Sequence, residues 1–280
     1  MKIVKSPGKL LQYLKKVRAP ARPIGFVPTM GALHKGHLRL IRAARRENKT
    51  VVVSIFVNPT QFAPQEDLKM YPRPINKDLV FCREEKVDFV FLPKPQDIYP
   101  RAFATYVNVE GLSEKLCGKS RPGHFRGVCT ILAKLFNIIQ PDGAYFGQKD
   151  AQQAIIVKKM VKDLNIPLKI KVVPTLREKD GLALSSRNIY LTGLERQDAL
   201  VLSRALNLAK VLIKGGAKNT VRIISRMKQM IKQKKNAKID YIAIVDPINL
   251  KPLKNISGNC LIALAVRVGK TRLIDNMIIR

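Results

Sequence analysis

The run VVVSIFV at 51–57 constrains the fold more than any other stretch of the chain. It is continuous, β-branched and lacks any alternation of apolar and polar positions, the pattern of a strand buried on both faces. A sheet covered twice needs helices, and the flanking sequence supplies them. IGFVP at 24–28 reads as a strand, and GHLRLIRAARREN at 36–48 as an amphipathic helix with Leu38, Ile41 and Ala44 on one face. A helix over 76–86, the strand DFVFLP, a helix from about 126 to 139, the apolar GAYFG, a helix over 151–164 and the strand LKIKVV at 168–173 follow. This alternation predicts an α/β fold, a Rossmann-like parallel sheet with helices on both faces. In such sheets the ligand crevice lies at the carboxyl ends of the strands.

The pattern changes after about residue 176. Two basic amphipathic helices are expected at about 194–214 and 218–234 with GG between them, then the strand-like runs KIDYIAIV, CLIALAVRV and TRLID. Helices followed by antiparallel strands predict a smaller C-terminal α+β domain, so the chain divides into 1–175 and 176–280.

Composition narrows the class. With 280 residues, 46% of them hydrophobic, the chain can bury one large core or two modest ones. No stretch approaches the roughly 20 apolar residues that span a bilayer, and the opening MKIVKSPGKLLQYLKKVRAP lacks the apolar core of a signal peptide. The expectation is a cytoplasmic protein without membrane contact. Cys82, Cys117, Cys129 and Cys260 form no C-x-x-C pair, which argues for reduced thiols and against a disulfide framework or a Cys-rich zinc site. The net charge of +32 would suit a polyanionic partner. However, the basic residues are dispersed among apparent helices, without a basic tail or an aromatic-studded basic strand. No specific nucleic acid is expected.

Four segments concentrate chemistry. VPTMGALHKGH at 27–37 places two of the chain's three histidines, His34 and His37, between a strand end and a helix N-terminus, with Gly31 and Gly36 allowing close backbone approach. Free N–H groups and the helix dipole favour an anion there, and an imidazole can hydrogen-bond a phosphate. Zinc fits less well, because the segment has no carboxylate. FGQKDAQQ at 146–153 puts Lys149 and Asp150 at another strand end. Lys149 can hold a phosphate as a point charge; Asp150 can accept from a ribose, help to hold magnesium or cap the helix. DGLALSSRN at 180–188 reads as a clamp on outer phosphates or as a capped turn. SRPGHFRGV at 120–128 gathers Arg121, His124 and Arg126, which could bind a carboxylate or line a solvated bend.

These four segments, with VSIFVNPTQF and the closing RLIDN, resemble the pantothenate synthetase family of ATP-dependent ligases, in the expected order from residue 27 to the C-terminus. The resemblance implies the HIGH-type nucleotidyl-transfer superfamily, with HKGH as its signature and LSSR in place of the mobile phosphate-binding motif. It implies that pantoate and ATP, with Mg2+, form a pantoyl-adenylate that β-alanine then attacks. By position, Met30, Gly31, Ala32, Leu33, His34, Lys35, Gly36 and His37 surround ATP, and His37 is the proton donor. Gly147, Gln148, Lys149 and Asp150 contact ATP, as do Leu176, Leu184, Ser185, Ser186 and Arg187. His34 and Lys149 join His37 as catalytic groups. Gln61 and Gln153 hold pantoate, with Gln61 also near the amine, while Arg121 and His124 line the same cavity. Metal is carried by ATP, with Asp150 the one protein candidate. A homodimer is implied, and residues 176–280 are expected to close over the active site. Cys117 stands where some relatives carry Glu.

Two other readings remain at this point. Another adenylyltransferase of the same superfamily should lack the NPTQF and FGQKDAQQ segments. A nucleic-acid-binding protein would bind in a steeply salt-dependent way.

Overall fold

The computed structural model of the protein describes residues 1–18, 22–64 and 66–280. They group into two compact units. One comprises Met1–Glu114, Arg121–Gln148 and Gln152–Pro174; the other comprises Lys115–Ser120, Lys149–Ala151 and Thr175–Arg280. Two short pieces of the first two-thirds of the chain therefore belong with the C-terminal unit, a grouping that no single cut along the sequence can express.

The first unit is built on six strands: β1 (Lys2–Val4), β2 (Ile24–Thr29), β3 (Thr50–Ile55), β4 (Phe89–Phe91), β5 (Gly143–Gly147) and β6 (Lys169–Val173). All pair in parallel, in the order β1-β4-β3-β2-β5-β6. Helices α1 (Pro7–Val17), α2 (Lys35–Glu47), α3 (Ile75–Glu84), the short α4 (Pro95–Ile98), α6 (His124–Ile139) and α7 (Ala151–Asp163) connect them, and the one-turn α5 (Cys117–Ser120) lies in the other unit.

Every residue of β3 is buried, as its uninterrupted apolar run requires; each valine taken from water there contributes about 1.5–3 kcal/mol before entropy is counted. The two-residue period of β2 explains how both faces are covered. Val27 packs with Leu38, Ile41 and Ala44 of α2, whereas its neighbour Phe26 points the other way and meets Phe136 of α6 edge-on, 6.3 Å between ring centroids. The edge strand β6 exposes Lys169 and Lys171, charges that discourage pairing with another chain.

In the second unit, α8 (Gly193–Ala199), α9 (Val201–Lys214) and α10 (Thr220–Lys232) precede the antiparallel sheet β7 (Ala237–Val245), β8 (Cys260–Val268), β9 (Thr271–Ile279). Leu202, Leu206, Ile223, Met227, Ile262 and Leu264 form the centre of its core. The single helix expected over 194–214 is broken at Leu200. The Leu200 N–H goes to the Asp198 carbonyl and so leaves the helical ladder, while its carbonyl opens the next helix by accepting from the Arg204 N–H (3.2 Å) and also takes the Ser203 hydroxyl (3.0 Å). The last strand runs beyond TRLID through Asn276 to Ile279. Among the described residues no helix is long and apolar enough to cross a membrane.

Candidate active site

Strand order fixes where a ligand belongs. From β2 the chain builds β3 and β4 to one side, then returns to place β5 and β6 on the other. The carboxyl ends of β2 and β5 flank this reversal, the usual crevice of open parallel sheets. Met30–His37 leaves the first of these ends, and Gly147–Asp150 forms or follows the second.

The loop after β2 is set by its own backbone geometry. Gly31 and Ala32 both have positive φ, +82° and +50°. A Cβ on Gly31 would stand 2.9 Å from Ile55 Cγ2 and 3.0 Å from Asp78 Oδ2, so glycine is required by space as well as by conformation. Asp78, fully buried on α3, accepts from the N–H of Ala32 (2.9 Å) and of Leu33 (2.7 Å). Burial raises its carboxyl above the usual carboxylate range despite the two backbone donors. Nothing in the sequence marks Asp78 as part of the site; a lone acid in INKDLVFC shows no motif, and only the fold reveals its partners.

His34 caps α2: its Nδ1 accepts from the Gly36 N–H (3.1 Å), and His37 Nδ1 accepts from the His34 N–H (3.3 Å). Because each Nδ1 is an acceptor, each neutral imidazole carries its proton on Nε2. The ring centroids are 4.1 Å apart. Two Nε2–H donors are thereby held side by side at a helix N-terminus, where the macrodipole already favours an anion. Lys35 is exposed on the first turn.

The NPTQF segment follows β3. Its buried Asn58 is the hub: Nδ2 donates to Gln61 Oε1 (3.1 Å) and to the Gly127 carbonyl (3.1 Å), while Oδ1 accepts from Thr60 (3.0 Å) and Tyr99 (2.7 Å) hydroxyls. Gln61, on a single 3-10 turn (Pro59–Gln61), points its Nε2 at Met30 Sδ, 3.0 Å away. The segment and the histidine loop thus meet at Met30. On α7, Gln152 is buried and donates to the Leu112 carbonyl (3.1 Å), whereas Gln153, about 100° further round the helix, is half-buried.

Arg121, His124 and Arg126 do not form one cationic cluster. Arg121 makes a fork with Glu66, Nε–Oε1 and Nη2–Oε2 both 2.6 Å. Its Nη1 is 2.9 Å from His124 Nε2, and His124 Nδ1 is 2.7 Å from the Gln61 carbonyl. A carbonyl only accepts, so His124 donates from Nδ1 and accepts from the guanidinium at Nε2. Burial works to raise the Glu66 carboxyl, but hydrogen bonding and charge from Arg121 hold it below its usual range. Arg126 is exposed on the helix and lies over the Tyr106 ring, 4.0 Å from its centroid.

In the second unit, Lys149 is half-buried and Asp150 exposed on a 3-10 turn (Gln148–Asp150). Leu176 and Leu184 are paired: the Leu184 N–H donates to the Leu176 carbonyl (3.0 Å), and the Glu178 N–H to that of Leu182 (2.8 Å). Asn188 donates to Glu178 Oε1 (2.9 Å) and the Ala183 carbonyl (3.1 Å), and Arg196 of α8 binds Glu178 and Asp180, each at 2.7 Å. Ser185 accepts from the Arg187 N–H (3.3 Å) and so caps the turn Ser186–Tyr190. Cys117 is buried with Sγ 3.1 Å from the Tyr241 hydroxyl, whose pKa is pushed up by burial and by that thiol; Arg272, 3.6 Å away, takes Asp240 as its carboxylate. Among the described residues no group of three or more His, Cys, Asp or Glu could hold a metal ion.

Comparison with known proteins shows the family. The family model for pantoate-beta-alanine ligase matches residues 2–278. The chain is 53% identical over 279 residues to the pantothenate synthetase of Moorella thermoacetica, covering 100% of this chain and 99% of the relative. It is similar in structure to pantothenate synthetase from Thermus thermophilus, with a TM-score of 0.94, 43% identity and 99% of each chain covered. A pantoate-beta-alanine ligase from Francisella tularensis, solved with beta-gamma ATP and beta-alanine, superposes with a TM-score of 0.83 at 37% identity, over 99% of this chain and 97% of that one.

Proposed function

The chain belongs to the pantoate–β-alanine ligase family, and on that premise we propose that it joins pantoate to β-alanine through a pantoyl-adenylate, with Nε2–H of His37 stabilising the transferring phosphoryl group. The observation that carries the assignment is the paired Nδ1 acceptance of His34 and His37, which commits both Nε2 atoms to donation at the N-terminus of α2.

In the first step a pantoate carboxylate oxygen attacks the α-phosphorus of ATP, and the bond to the β-phosphate bridge breaks. Charge builds on the phosphoryl oxygens and on departing pyrophosphate, so positioned donors and cations are what the protein must supply. Met30–His37 and Gly147–Asp150 are assigned to ATP, with Lys149 on its phosphates; Leu176, Leu184, Ser185, Ser186 and Arg187 serve the same nucleotide. In the second step the β-alanine amine attacks the acyl carbon, AMP leaves with the former carboxylate oxygen, and the new amide loses a proton.

Gln61 is suited to both steps. Its amide N–H currently rests on a thioether, a weak acceptor, so a pantoate oxygen would displace it with little loss, while Asn58 keeps the amide oriented. Gln153 is the second pantoate contact. Arg121 and His124, tied to Glu66 and to the Gln61 carbonyl, act on the backbone that carries Gln61.

Magnesium fits as an ion held chiefly by the triphosphate. Of the residues in Met30–His37 and Gly147–Asp150, the one carboxylate is the exposed Asp150, one hard oxygen donor where a protein cage would need several. When bound, the ion neutralises phosphate charge. Magnesium, a homodimer and a cytoplasmic setting are supported by the family resemblance.

Product analysis tests the reading. ATP, Mg2+, pantoate and β-alanine together should yield pantothenate, AMP and pyrophosphate, with no pantothenate formed when any substrate is left out. ADP as the product would contradict it. Lys149→Ala should abolish pyrophosphate release and leave pantoate affinity within about 2-fold, measured by calorimetry.

A further inference from the structure

RLIDN, the closing motif, has no role in the chemistry above, yet two of its residues are buried polar groups of the last strand. Asp275 is 2% and Asn276 6% exposed. As neighbours in β9 they point to opposite faces of the three-stranded sheet. Asp275 shares the face of Ile242 and Leu264, its cross-strand neighbours, which pack into the helical core. Asn276 shares the other face with Ala243 and Ala263.

Each side chain is committed to one segment assigned to ATP. Asn276 Nδ2 donates to the Lys149 carbonyl at 2.8 Å; a carbonyl can only accept, so the amide must present its NH2 there. A peptide group is planar and trans, so fixing this oxygen also fixes the Asp150 N–H on the opposite edge and the backbone from which the Lys149 side chain departs. Asp275 binds Arg177 through both oxygens, at 2.6 and 3.0 Å, and the same guanidinium donates to the Gly181 carbonyl at 3.1 Å. That ties the first strand of the hairpin running from Leu176 to Leu184 to its turn, and out of this hairpin Ser185, Ser186 and Arg187 emerge. Asp275 Oδ1 also accepts from the Asn276 N–H, at 2.8 Å, which ties the two anchors together.

The structure assigns to Asn276 and Asp275 the role of positioning residues for adenylate formation, Asn276 acting through Lys149 and Asp275 through Arg177 on the 184–187 segment. This assignment rests on the proposed placement of Lys149 and 184–187 on ATP. It makes the C-terminal strand part of the nucleotide apparatus without touching the nucleotide.

Asn276→Leu keeps the branching at Cγ, with a somewhat larger side chain, and removes the donor. Pyrophosphate release from ATP and pantoate should slow about 10–100-fold, the cost of misplacing a reacting group by roughly 1 Å. Attack of β-alanine on preformed pantoyl-adenylate, and the KM for pantoate, should stay within about 2-fold. In a Lys149→Ala background Asn276→Leu should add no further loss of ATP affinity, because the two act as one unit. Asp275→Asn should likewise weaken ATP binding, with the loss merged into that of Arg187→Ala.

A second readout does not depend on the reaction. Acylation of Lys149 by a lysine reagent in the substrate-free protein, followed by peptide mass spectrometry, should change several-fold in Asn276→Leu, while the exposed Lys158 on α7 reacts as before. Absence of pyrophosphate from the wild type would sink the adenylate reading, and the labelling result would still decide the positioning. Wild-type labelling and wild-type pyrophosphate release in Asn276→Leu, or equal slowing of both half-reactions with a lowered melting temperature, would overturn the assignment.

Discussion

Two segments of the first unit look alike on paper: each sets imidazole and cationic groups just ahead of a helix. Ahead of α2, the histidines take backbone N–H groups on Nδ1, and the nearby acid, Asp78, is spent on the backbone of Ala32 and Leu33. Ahead of α6, an acid 55 residues away, Glu66, takes the guanidinium of Arg121, and His124 passes the contact on to a carbonyl. The first arrangement turns both imidazoles so that Nε2 carries the proton; the second converts cations into a brace. What separates them is where the carboxylate goes, and residue types alone do not show that.

The comparison breaks most sharply at His37. His37→Ala should lower turnover by ~10²–10⁴-fold, the usual span for a positioned acid–base group. Stability should fall by no more than about 1 kcal/mol, the worth of one capping hydrogen bond, read from denaturant unfolding. Arg121→Ala should invert the proportions. It leaves Glu66, whose side chain is 21% exposed, without its ion-pair partner, which costs about 1–3 kcal/mol. Turnover should drop only about 10-fold, through a disturbed Gln61. A larger catalytic loss in Arg121→Ala than in His37→Ala would mean that Arg121 touches substrate.

Asp78→Asn sharpens the account of the first segment. An amide can accept on one atom only, so its NH2 would face either the Ala32 or the Leu33 N–H. The KM for ATP should rise about 10-fold as the loop shifts, with pantoate affinity unchanged in calorimetry. The smallest effect separates the two acids by pH. Glu66 is held low in the folded state, so its contribution is present above the ordinary carboxylate range and is lost as pH falls through its folded value. Asp78 is raised, so its contribution is present below the unfolded value and is lost as pH rises through its folded value. Unfolding free energy measured from pH 3 to 7 should therefore change its pH dependence in opposite senses in Glu66→Gln and Asp78→Asn.

Much of the fold is legible because burial writes itself into the sequence. The uninterrupted 51–57 run requires a doubly covered strand, and the spacing of Leu38, Ile41 and Ala44 requires the helix that covers it. The strand ends, and with them Met30–His37 and Gly147–Asp150, follow from the alternation. Polar contacts between distant residues are not legible in this way. Asp78, Asn58, Glu66 and Asn276 each reach by hydrogen bonds to partners 46, 69, 55 and 127 positions away, and such bonds leave no periodicity.

The adenylate route itself is tested most directly by rapid-quench mixing of the enzyme with ATP, Mg2+ and pantoate in the absence of β-alanine. The account predicts a burst of about one pyrophosphate per active site, slow release thereafter, and prompt AMP formation when β-alanine is added. Pyrophosphate that appears only once β-alanine is present would contradict it.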